Sequence, residues 1–125
     1  MAAKFRLVTE HLYWWPVEVW MPSGTRSGGW DNHTFEVQFA AVPASEARAI
    51  ADEILKLPPD EREAREHEVL IRAVRDWRRV VGADDEEIHF SEATLRQAME
   101  NGWFRQGLYR AYGRSLVHDD ARRGN

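Results

Sequence analysis

The chain has 125 residues, a formal net charge of −4 and no cysteine. That length fits one domain with its own core, and the missing cysteine excludes a disulfide framework, a thiolate-ligated metal and a cysteine nucleophile. At 43% hydrophobic and 30% charged residues the chain is not of the disordered type.

No apolar run approaches the ~20 residues of a membrane helix. The apolar stretch at the start of the sequence is too short for a secretory signal, so a cytoplasmic protein is expected. The acidic balance argues against a nucleic-acid binder, which needs concentrated Lys and Arg. Charge falls in blocks: net −4 over 44–70, +3 over 71–82, −5 over 83–100 and +3 over 101–125. Alternating blocks are the pattern of helix faces that bridge one another.

Along the chain, residues 17–21 and 34–41 alternate apolar and polar, with Val17, Val19, Met21 and Phe35, Val37, Phe39 on the inward sides. The Gly- and Ser-rich stretch 22–29 between them predicts a long-looped antiparallel hairpin. A further strand is expected near residues 5–8, and Pro16 is expected to mark a bulge or a strand start. From Pro43 the period becomes 3.6. Ser45 is the expected N-cap of a first helix with the stripe Ala47, Ile50, Ala51, Ile54 and Leu57, stopped by Pro58 and Pro59. Asp60, with Glu63 as capping-box partner, is expected to open a second helix whose stripe is Leu70, Ala73, Val74, Trp77, Val80 and Val81, ending at Gly82. An acidic turn then leads to an extended piece at 88–90. Ser91 caps a third helix with Leu95, Ala98 and Met99. Asn101-Gly102 reads as a turn, and a fourth helix carries Phe104, Leu108, Ala111, Tyr112 and Ser115. The expected fold is α+β: an N-terminal antiparallel β-hairpin or small sheet packed against about four helices. It forms a single domain over 1–125, with a β-rich part at 1–43, a helical part at 44–117 and a frayed tail at 118–125.

Catalytic patterns are largely excluded. Gly24 to Gly29 has the glycine spacing of a phosphate loop, but Trp30-Asp31 stand where Lys and Ser or Thr are needed. His67-Glu68 begins like a zinc-protease helix, but Ile71 stands where the second imidazole belongs, so His67 is read as a half-buried packing residue. The five serines sit at caps or turns, and the acid pairs of 84–87 and 119–120 lie in polar stretches. The aromatics say more. Trp77, Phe90, Phe104 and Tyr112 fall on core stripes. Tyr13, Trp14, Trp15, Trp20, Trp30, Trp103 and Tyr109 do not all fit one. Adjacent Trp14 and Trp15 cannot share a strand face, and Trp20 lies opposite Val17 and Val19. Two accounts stay open: these rings anchor an interface, or both hairpin faces are covered, one by helices and one by the segment before the hairpin. Trp14, Trp20, Trp30 and Trp103 are the candidate partner-binding residues.

Three segments in order carry a resemblance: Val74-Arg75-Asp76-Trp77-Arg78-Arg79-Val80-Val81, then Ile88-His89-Phe90-Ser91-Glu92-Ala93-Thr94-Leu95 after an acidic turn, then 103–112 ending in Ala111-Tyr112. Together with Thr34 to Phe39 and the helix start after Pro43, this order resembles the tail assembly chaperones of long-tailed bacteriophages and prophages, over roughly residues 17–117. That family shows a helix ending in Asp-Trp, a Gly-containing turn and a short strand with Pro before Phe-Ser. Here the turn 84–87 has no glycine, and His89 stands in place of the proline. The resemblance implies a small α+β protein that binds the tape-measure protein, and the tail tube protein in turn, in the host bacterial cytoplasm. It implies neither catalysis, cofactor nor metal, and no nucleic-acid or membrane partner; a homo-oligomer is compatible with it. The alternative is a structural virion component such as a head–tail connector or tail completion protein. A third reading is a small enzyme or ligand-binding domain using the Gly-rich loop and His33.

Overall fold

Alternation of apolar and polar side chains sets the first two strands. The computed structural model describes residues 2–118. In it β1 (Leu12–Pro22) and β2 (Trp30–Ala40) pair antiparallel, from Leu12 opposite Ala40 to Pro22 opposite Trp30. The loop 23–29 between them is tied down. The Ser23 side chain accepts from the Thr25 and Arg26 amides, and the Arg26 guanidinium meets Asp31 Oδ1 at 2.7 Å and the Trp30 carbonyl at 3.0 Å. Gly28 supplies the left-handed φ of 75° that the loop needs.

Pro16 does not break β1, contrary to the bulge or strand start expected from sequence. The strand order is β1-β2-β3, so β1 is an edge, where a residue without an N–H can leave its bare side to solvent. The strand expected near residues 5–8 does not form: Phe5 and Leu7 are each 89% exposed and belong to no ladder.

The first helix, α1 (Ala44–Leu55), starts where expected but without its cap. Pro43 is the N-cap and no side chain caps the helix, because the proline's fixed φ of −59° already begins the turn and leaves Ser45 inside it. No residue of α1 is fully buried. It lies at the periphery, held in part by Arg72 Nε against Glu46 Oε1 at 2.8 Å.

The second helix expected over 60–81 is the main correction. The segment divides into α2 (Pro59–Ala64), α3 (Glu68–Ala73) and a strand, β3 (Val74–Arg78). Asp60 is not a cap: Pro58 holds that position and Pro59 opens the helix, with Asp60 and Glu61 in its first turn. β3 pairs antiparallel with β2, Glu36 opposite Arg78 and Val37 opposite Trp77, and the register then shifts so that Phe39 lies opposite Val74. Here is the physical reason for the misreading. Val74 and Trp77 are three apart, the spacing of a helix stripe, and in a regular strand they would face opposite sides. The bulge inserts one extra residue and returns both to the core side. The helical part of the chain therefore contributes a strand to the sheet. Gly82 ends no helix. It sits in a tight turn, where the Gly82 amide donates to the Glu86 carbonyl at 2.8 Å and the Asp85 amide donates to the Gly82 carbonyl at 3.0 Å.

The rest follows the sequence closely. α4 (Glu92–Ala98) opens on Ser91 with a reciprocal capping box to Thr94. α5 (Gly102–Leu116) opens on Asn101, whose side chain accepts from the Phe104 amide at 3.1 Å; the expected Asn101-Gly102 turn is thus a helix cap. The fold is α+β: a three-stranded antiparallel sheet with helices on one face. Its core joins Val17, Val19, Phe35, Val37 and Phe39 of the sheet to Leu70, Leu95, Met99, Leu108 and Ala111 of the helices. Phe35 stacks on Phe104 at 5.4 Å, and Trp77 meets Phe90 edge-on at 5.4 Å while its Nε1 donates to the Ile88 carbonyl at 2.7 Å. Gly107 lets α5 lie against β1 at Glu18. Of the tail expected at 118–125, only His118 is among the described residues. No helix among the described residues is long and apolar enough to cross a membrane.

Candidate protein-binding surface

The pleat sends odd-numbered β1 side chains to the core and even-numbered ones outward. Tyr13, Trp15, Val17, Val19 and Met21 pack inward; Leu12, Trp14, Glu18 and Trp20 point away from the helices. This resolves the adjacent pair, Trp15 packed against the core and Trp14 on the outer face. Register places Trp20 opposite Asn32 and Trp30 opposite Pro22, so the two indoles are diagonal neighbours on the same outer face. Trp20 is 45% and Trp30 54% exposed, and the leading segment does not cover them. Trp14, at the other end of the face, is half-buried beneath Arg78, whose guanidinium carbon lies 4.1 Å from the ring centre. The same guanidinium donates to Glu36 Oε1 at 2.8 Å and holds the Glu36 carboxyl below its ordinary range.

Trp103 is not part of this face. It lies on α5, in the layer behind the sheet, exposed with Tyr109 on the solvent side of that helix. Tyr109 is not free: its hydroxyl lies 2.6 Å from His67 Nδ1, and burial with nearby Glu66 raises its pKa. The four candidate tryptophans thus divide into an exposed pair, one capped ring and one on a separate surface. Leu12 joins the outer face although sequence reading passed it over. Its signal was parity: it lies two before Trp14 and eight before Trp20. Arg78 was missed because its segment was read as helix, which hid its place across the sheet from Trp14.

The remaining polar groups are organised for structure. Arg96 grips Glu68 through two hydrogen bonds, at 2.7 and 3.0 Å, joining α4 to α3 and pulling the Glu68 carboxyl below its ordinary 4.5. Arg75 holds Glu10 in the same two-pronged way at 3.1 and 2.9 Å. Among the described residues no three His, Asp or Glu side chains stand close enough to hold a metal ion. The outer face offers apolar area, a planar cation and backbone-fixed aromatic rings, which are the materials of polypeptide recognition. No protein-family model, curated protein or solved structure matches this chain.

Proposed function

We propose that this chain is a non-enzymatic assembly chaperone of the phage tail type, acting in the host bacterial cytoplasm. It binds the helical tape-measure protein, and tube subunits in turn, through the outer face of its sheet. The observation that carries the reading is the diagonal pair Trp20 and Trp30, half exposed on the sheet and covered by no other element among the described residues. Large rings fixed on strands give up little entropy on docking and suit the apolar stripe of an amphipathic helix. A coat made of many such modest contacts along one long chain can later be displaced as the tube forms. The sequence resemblance over residues 17–117 supplies the identity of the partner.

The test is co-expression with the tape-measure protein encoded beside it. The wild-type chain raises the partner's soluble yield and co-purifies with it; Trp20→Ala/Trp30→Ala loses both while keeping its melting temperature. Recovery of the chain in purified virions at fixed stoichiometry would instead mark a structural component.

A further inference from the structure

An unpaired length of strand lies at the centre of the sheet. β1 pairs with the whole of β2, but β3 covers only Glu36 to Phe39, so residues 30–35 of β2 have no strand on that side. Among the described residues no backbone hydrogen bond from a loop closes this gap. Every second residue there turns its N–H and C=O toward the vacancy, an exposed template for another strand. The other two edges are protected. β1 is blunted by Pro16, and β3 is five residues long and clamped by the Arg75–Glu10 pair. β3 ends because Arg79 adopts a left-handed φ of 67°, which turns the chain out of the sheet. Beside the vacancy lies an open, mostly apolar cavity of about 540 Å³, lined by Val19, Phe35, Val80, Val81 and Phe104 with polar His33, Arg79 and Asn101 among its walls.

A segment of matching pattern stands elsewhere on the chain. Residues 4–7 read Lys-Phe-Arg-Leu, alternating cation and large apolar group before apolar Val8, with Phe5 and Leu7 each 89% exposed. A strand in the vacancy would send Phe5 and Leu7 into the cavity and Arg6 to the outer face. Charge agrees. Val81 of the cavity leads into Asp84, Asp85, Glu86 and Glu87, which form no ion pair among the described residues, and these four outweigh the cation of Arg79 at the rim. The arm cannot fill its own vacancy. Val8 is four residues from Leu12, a reach of at most ~14 Å. The vacancy beside Phe35 lies five residues along the sheet and two strand spacings across from Leu12, about 19 Å away.

We propose that residues 4–8 of a second copy of this chain add as a strand to the open edge of β2 at residues 30–35, seating Phe5 and Leu7 in the apolar cavity. Each copy has one arm and one vacancy, so the exchange closes as a dimer or propagates as a chain of copies. The contact needs no other partner, and it uses the backbone of residues 30–35 and the core-side cavity rather than the outward rings of Trp20 and Trp30.

The test uses the purified chain alone. Light scattering shows a mass above the monomer, and Phe5→Ser/Leu7→Ser reduces self-association at least tenfold while keeping the wild-type melting temperature at dilutions where both are monomeric, since neither side chain is packed within its own copy. Because the chain has no cysteine, an Arg6→Cys preparation mixed with a Thr34→Cys preparation forms a 6-to-34 disulfide at twice the monomer mass under mild oxidation. A monomer at all concentrations overturns the proposal. So does a mixture giving only 6-to-6 or 34-to-34 products, or a doubly substituted chain that links only within itself.

Discussion

The guanidinium of Arg78 lies over the ring of Trp14, 4.1 Å from its centre, reaching from β3 across β2 to β1. One side chain thus ties the two outer strands of the sheet over the middle one and covers one face of the Trp14 indole. A cation over an indole at a partly exposed site contributes about 0.5–1 kcal/mol. Arg78→Ala should lose about that much in urea denaturation while leaving Trp14 more accessible to acrylamide quenching. Arg78→Lys should restore little, because an ammonium cannot lie flat on the ring and hold Glu36 together. Unchanged quenching in Arg78→Ala would show that Trp14 owes its cover to other groups.

Gly107 is where α5 meets the sheet most closely. A Cβ there would overlap the carbonyl oxygen of Glu18, and backbone cannot rotate aside as a flexible side chain can. Gly107→Ala should therefore destabilise by about 1–3 kcal/mol, the usual cost of overpacking, despite alanine's better helix propensity. Gly113 in the same helix meets nothing, so Gly113→Ala should stabilise by up to about 1 kcal/mol. Equal effects at the two sites would mean that α5 is not packed on β1 as described.

The Glu68–Arg96 pair makes stability depend on pH in one direction. Arg96 lowers the Glu68 carboxyl below its ordinary 4.5, against the opposing effect of burial. A depressed carboxylate contributes fully above its unfolded value, and that contribution is lost as pH falls through the lower folded value. Glu68→Gln should cost about 1–2 kcal/mol at pH 7, between the values for exposed and buried pairs. The gap to wild type should hold down to about pH 5 and shrink below pH 4.5. A gap that stays constant to pH 3 would remove the pair from the account.

The hairpin, the α4 cap and the apolar face of α5 were legible because each rests on local chemistry: alternation, a Ser-x-x-Thr box, a 3.6-residue period. β3 was not, because its identity depends on a distant partner. Residues 74–78 become a strand only because β2 presents an edge for them, and the bulge lets Val74 and Trp77 keep a spacing that reads as helix. Missing β3 also hid the place of Arg78 over Trp14 and the vacancy that β3 leaves by stopping at Arg78. Of the candidate tryptophans, parity found the outward side chain of Trp20 but left open which of Trp14 and Trp15 faces out. The separation of Trp103 from that face depends on which side of the sheet α5 occupies, and no local pattern encodes it.

The extra residue at the β2–β3 shift has a lasting effect on how this chain can vary. Removing Arg75 would leave a regular two-residue alternation in which Val74 and Trp77 both still face the interior, so the indole keeps its bond to Ile88 and the clamp on Glu10 is lost. Point changes at Arg75 release Glu10, whereas a single-codon deletion in the unbroken ladder of β1 and β2 would move every side chain beyond it to the other face. One-residue deletions should therefore be tolerated between Val74 and Trp77 better than in β1 and β2, whose register runs without a shift.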